Sequence, residues 1–248
     1  GRIDYLIRTF MNADGTMVRG EDAAPGQLTV RQYFEALNRF AERAGTGLLT
    51  FLNTEGNRQA VGLFDYYIRT FAYVDPETGE VVMLRSTFDA EGNLVVPDEA
   101  PLTFDQWIDL MSQVATAAGT DLITLANRSP RVFAFIEGFV RDNVYADPVS
   151  GELRVAHFDD KRKDKLASPL SFEQWLEGLG IVADVLQDHP DFVAFLDQLI
   201  EQKNLNLFNR LLTTVTFRTY RDAEGNLRVD RTGARTNVES ATFAANAT

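Results

Sequence analysis

The chain has 248 residues, 45% hydrophobic and 24% charged, with 36 acids against 24 bases and no cysteine. That apolar content excludes a wholly disordered chain, and the length suits one or two domains able to bury a core without staples. The missing cysteines exclude disulfides, thiolate catalysis and sulfur-ligated zinc or iron, and a formal charge of −12 argues against nucleic acid, because phosphate needs a basic face.

The chain begins on Gly1 rather than methionine, as a processed or recombinantly expressed chain would. The segment Asp4–Phe10 leads into a turn at Asp14-Gly15. Thr29 is then a helix N-cap, with Gln32 three positions on completing a capping box. Val30, Tyr33, Phe34, Leu37, Phe40 and Ala44 form the apolar stripe of that helix, which stops at Gly45, a candidate left-handed cap. A short helix over Thr46–Asn53 follows, then Asp65–Phe71, and a hairpin whose Asp75 to Gly79 turn leads into Glu80–Leu84.

Thr103 and Gln106 open the next capped helix, with Phe104, Trp107, Ile108, Met111, Val114 and Ala115 on its apolar face and Gly119 at its end. Thr120–Asn127 is again a short helix, and Pro130–Gly138 a third with proline in its first turn. The Asp147 to Gly151 turn and Glu152–Val155 make another hairpin. Ser171 and Gln174 cap a further helix, Asp188 caps one over Pro190–Lys203, and Phe217–Asp230 reads as a last hairpin around Asp222 to Gly225.

These elements recur. Leu28–Asn53 aligns with Leu102–Asn127 without a gap, and 10 of the 26 positions are identical, which identifies a true internal repeat. The helix start returns at Leu170–Trp175, and Asp4–Phe10 returns as Asp65–Phe71, with echoes at Phe139–Asp142 and Phe217–Tyr220. The expected fold is α+β, with a period of about 60–77 residues and three helical blocks alternating with four β-hairpins. The units fall roughly at 1–63, 64–132 and 133–206, with a closing hairpin at 207–232, in a single domain over 1–232. The small polar tail 233–248 is too poor in apolar side chains to fold alone, so order there requires the body or a neighbouring chain to hold it.

Candidate sites are few. The Asp/Gly turns ahead of capped helices resemble a distorted EF-hand, but the loop is too long and glutamine stands where calcium needs a bidentate glutamate. Arg8, Arg69 and Arg141 each follow an acid by four residues (Asp4, Asp65, Glu137). On a helix these are ion pairs worth about 0.3–0.5 kcal/mol each. A converging anion site is the functional alternative. Trp107, Trp175 and Tyr33 share one slot, read as core rather than as a sugar platform.

The chain has two histidines. His157 stands beside Asp159 and Asp160 without a nucleophile at a recognisable spacing, and His189 marks a helix boundary. The mixed-sign run Asp159–Lys165 reads as a solvated loop.

No catalytic, cofactor or metal residue is assigned, and no apolar run reaches the roughly 18–20 residues of a membrane span. The reading is a soluble, non-enzymatic structural or assembly protein. Its partner is itself or a scaffold, reached through hairpin edges and the tail. The alternatives are a carboxylate-based hydrolase acting on carbohydrate and a calcium-responsive module.

Overall fold

A computed structural model describes residues 1–24, 26, 28–91, 93–95, 99–156, 165–201, 219–221 and 227–229. They are mixed helix and strand, with the strands in small antiparallel sheets, in keeping with the α+β expectation. The chain gathers into two compact units, Gly1–Val193 and Ala194–Thr248.

In the first unit, α1 (Arg2–Phe10) runs into a tight hairpin closed by a Met11–Met17 bridge, with Gly15 at φ 88°. That conformation is open to glycine without strain. Next come α2 (Val30–Arg43), α3 (Thr46–Asn53) and α4 (Arg58–Phe71), then strands β1 (Ala72–Val74) and β2 (Val81–Met83). A small hairpin of β3 (Thr87–Phe88) and β4 (Leu94–Val95) precedes α5 (Phe104–Ala117), α6 (Thr120–Arg128) and α7 (Pro130–Asn143). Strands β5 (Val144–Ala146) and β6 (Leu153–Val155) pair next; β7 (Leu170–Ser171) leads into α8 (Phe172–Gln187). Helix α9 (Pro190–Glu201) starts where the His189 carbonyl accepts from the amides of Phe192 and Val193. In the second unit β8 (Thr219–Arg221) pairs antiparallel with β9 (Leu227–Val229).

The three capping boxes form as the sequence requires: Thr29, Thr103 and Ser171 each accept from the amide of the glutamine three residues on, whose side chain reaches back. Gly45 and Gly119 differ from expectation. Both are extended (φ −70° and −62°) and serve as N-caps of α3 and α6. The next helix begins at the following residue, so no left-handed turn fits between the helices. Hairpin β3–β4 is additional to the hairpins that the sequence pattern predicts.

Successive helices build one core in the first unit. Helix α5 packs on α2 and α3, and α8 packs on α6 and α7. Phe64 of α4 meets Phe133 of α7 at 5.3 Å and Trp175 of α8 at 6.2 Å, both edge-on. Each wholly buried ring of this kind is worth about 1.5–3 kcal/mol.

One apolar stripe departs from expectation. Helix α2 buries Ala36 and Phe40 but leaves Val30 and Phe34 exposed, although the matching Phe104 and Ile108 of α5 and Phe172 and Leu176 of α8 are buried. The later helices begin under a strand pairing that α2 lacks among the described residues: β2 pairs with β7, and Thr16 bridges to Thr103.

Candidate functional site

The most polar buried features are two clusters of the same kind, each centred on an acid and an arginine one helical turn apart. That spacing places both side chains on one face. In α4, Arg69 Nε donates to Asp65 Oδ1 at 3.0 Å and Nη2 to Oδ2 at 3.0 Å. Trp107 of α5 adds its indole N–H to Asp65 Oδ1 at 3.0 Å. The remaining guanidinium nitrogen, Nη1, donates to the carbonyls of Val18 (2.6 Å) and Gly20 (3.0 Å), and the guanidinium lies 3.7 Å from the centre of the Phe10 ring.

The second cluster repeats this chemistry with glutamate. Arg141 of α7 donates from Nε to Glu137 Oε1 at 2.7 Å and from Nη2 to Oε2 at 3.2 Å, and Trp175 Nε1 donates to Oε1 at 3.2 Å. Arg141 Nη1 reaches the Leu84 carbonyl, Ser86 Oγ and Asp142 Oδ1, and its guanidinium stacks 3.6 Å above Phe71.

A second arginine crosses each junction in the opposite sense. Arg19 donates to Thr70 O (2.5 Å) and Ala72 O (3.2 Å) at the end of α4; Arg85 donates to Arg141 O and to Val144 O (3.1 Å) at the end of α7. Cations at helix C-termini meet the carbonyls the helix leaves unpaired. The sequence gives no local cue to Arg19 and Arg85, because their partners lie some 50 residues away.

Burial pushes the Asp65 and Glu137 carboxyls above their ordinary range, while the paired guanidinium and the indole N–H pull the other way. Neither side chain of either pair is exposed beyond 5%. The surface value of about 0.3–0.5 kcal/mol therefore does not apply to these two pairs; removing one partner of such a pair costs about 3–5 kcal/mol. The third pair, Asp4 with Arg8, is open. It is 3.7 Å long, Arg8 is 69% exposed, and Asp4 takes the Tyr33 hydroxyl at 2.7 Å.

Trp107 and Trp175 are wholly buried, as expected of core residues, and present no ring to a sugar. The turn aspartates hold their own backbones: Asp14 accepts from the Thr16 amide, Asp75 from Glu77, and Asp147 from Val149 and Ser150. Among the described residues no group of three or more acids and histidines is placed to hold a metal ion. A groove of about 750 Å³ lies between α1 and α4, lined by Tyr5, Leu6, Phe10, Val61 and Tyr66 and by the already paired Asp65 and Arg69.

Residues 157–164, including His157, Asp159 and Asp160, lie outside the described residues, as do Asp222 to Gly225 and the 233–248 tail. Lys165, at the edge of that loop, places Nζ 5.3 Å from the Tyr145 ring centre. Among the described residues no helix is long and apolar enough to cross a membrane. Comparison with protein-family models, curated proteins and solved structures finds no match to this chain.

Proposed function

We propose that the chain is a non-enzymatic structural or assembly protein. In this reading it is built from successive copies of one hairpin-and-helices unit of about 60–77 residues, and it associates with itself or a scaffold through hairpin edges and the 233–248 tail. One observation carries the reading. The buried ionisable groups best placed for chemistry, Asp65 with Arg69 and Glu137 with Arg141, are consumed in joining one stretch of chain to the next. The same stacked arginine, indole donor and carbonyl acceptors appear in both clusters. A chain whose parts join by a reusable junction is suited to joining further copies the same way.

The carbohydrate-hydrolase alternative requires two carboxylates facing a cleft near Trp107 or Trp175, and those rings are wholly buried against ion-paired acids. Calcium binding would have to draw Asp14, Asp75 and Asp147 away from the amides they hold.

Static light scattering of the full chain and of a 1–232 truncation tests the proposal. The full chain is expected to scatter as a dimer or larger species, with the truncation lighter. Monomeric behaviour of both at all concentrations would overturn it.

A further inference from the structure

We infer that Leu28–Thr29, the first two turns of α2 and the Asp4–Arg8 pair form a receiving face, and that it docks the β5–β6 hairpin of a second copy of this chain. The inference rests on the assembly reading and names its two surfaces.

The template lies inside the molecule. Strand β2 pairs with β7 so that Met83 faces Leu170 and Val82 faces Ser171, directly ahead of capped helix α8. The first hairpin does the same ahead of α5: Met17 N–H donates to Leu102 O at 2.7 Å, and Phe104 N–H to Gly15 O at 2.9 Å. Under these pairings the start of each helix is buried, with Phe104 and Ile108 wholly covered in α5 and Phe172 and Leu176 nearly so in α8. The arginine of the preceding helix takes carbonyls from the same hairpin arm, as Arg69 does from Val18 and Gly20.

Helix α2 has the same preceding Leu-Thr, the same capping box and the same apolar positions, without a covering strand among the described residues. Val30 is 76% exposed and Phe34 63%. Among the described residues, no strand pairs with Leu28–Thr29. Arg8, the counterpart of Arg69 on α1, is turned largely to solvent.

The complementary edge lies in the same compact unit. Val155 faces Val144 across its hairpin, as Met83 faces Ala72 and Met17 faces Met11. Met17 and Met83 are wholly buried by the pairing beyond them, whereas Val155 is 51% exposed. Among the described residues, one unit therefore carries an open strand edge and, elsewhere, an open receiver built to the pattern of its own internal contacts.

The template sets the register, with Val155 opposite Leu28 and Arg154 opposite Thr29. Arg19 and Arg85 each follow their strand edge by two residues; here that position is His157. An arginine is less needed at this face, because Thr9 O at the end of α1 already accepts from the Ala24 amide at 2.7 Å. Because the two surfaces differ, the contact is heterologous and propagates head to tail, into a ring if it closes and a filament if it does not.

The absence of native cysteine makes the test direct. Leu28→Cys and Val155→Cys are prepared separately in the full chain, mixed, and mildly oxidised. Opposed strand residues have Cα atoms about 4.5–5.5 Å apart, within disulfide reach. The mixture is expected to form the disulfide dimer about tenfold faster than either variant alone, and adding Phe34→Asp to the Leu28→Cys chain is expected to remove that gain. Phe34 is exposed in the single chain, so unchanged melting of Phe34→Asp checks that folding is intact. Association without preferential pairing of the two cysteines overturns this contact and leaves the broader assembly reading standing. A wild-type chain that stays monomeric at every concentration overturns both.

Discussion

Arg69→Ala is the most informative single change. It removes the paired bonds to Asp65, both bonds to the first hairpin arm and the stack on Phe10. Asp65, 3% exposed, is left with the Trp107 indole as its one remaining donor among those described. Stranding a buried charge in this way costs about 3–5 kcal/mol, a large share of the roughly 5–15 kcal/mol that holds a typical domain together. Arg8→Ala makes the same chemical change at an exposed pair and should cost no more than about 0.5 kcal/mol.

The pH dependence carries a second signature. Burial already raises the Asp65 carboxyl, and loss of its cation raises it further. The penalty is then fully present above the folded-state value and fades as pH falls through that value towards the unfolded one, because the neutral acid no longer needs a counterion. Urea unfolding of wild type, Arg69→Ala, Arg8→Ala and Asp65→Asn/Arg69→Ala across pH gives all four quantities. The double variant should recover part of the loss. An Arg69→Ala penalty no larger than that of Arg8→Ala, or one independent of pH, would refute the reasoning.

Other changes probe separate links. Trp107→Phe keeps an aromatic ring but removes both the donor to Asp65 Oδ1 and part of the buried indole volume, and chemical denaturation should show a loss of at least about 1–3 kcal/mol. Gly178→Ala would set a Cβ 2.9 Å from Val140 Cγ1 in a packed interior. A net loss of about 1–3 kcal/mol is expected despite better helix propensity, whereas Gly180→Ala in the same helix meets nothing within 4 Å and should gain about 0.5–1 kcal/mol, both read by thermal melting. The amides of Ser150 and Val149 hold the Asp147 carboxyl below its ordinary value of 3.8. Its contribution is thus present above that value and lost as pH falls through the lower folded one, and Asp147→Asn should flatten this part of the acid unfolding profile.

The features legible in the sequence are those whose partners lie close in the chain. Thr29 with Gln32, and its two counterparts, need only a hydroxyl and an amide three residues apart. The Asp75 and Asp147 turns likewise close within a few residues. The acid–arginine pairs were visible by spacing, but their worth depends on burial, which the distant hairpin arms decide for Asp65 and Glu137 and leave undecided for Asp4.

For the same reason the stripe of α2 reads like that of α5, although Val30 and Phe34 stay exposed where Phe104 and Ile108 are covered. Hairpin β3–β4 carries a local signal of its own in the sequence. Asp89–Leu94 is identical to Asp222–Leu227, and the strands flanking each stretch pair antiparallel.

Hydrogen exchange at the Val30 and Phe104 amides, followed as protein concentration rises, tests the central claim most directly. The Phe104 amide, bonded to Gly15 O, should be protected at every concentration. The Val30 amide, at the matching position of the open face, should exchange freely in dilute solution and slow as chains associate. Concentration-independent exchange at Val30, or exchange at Phe104 as fast as at Val30, would contradict the account.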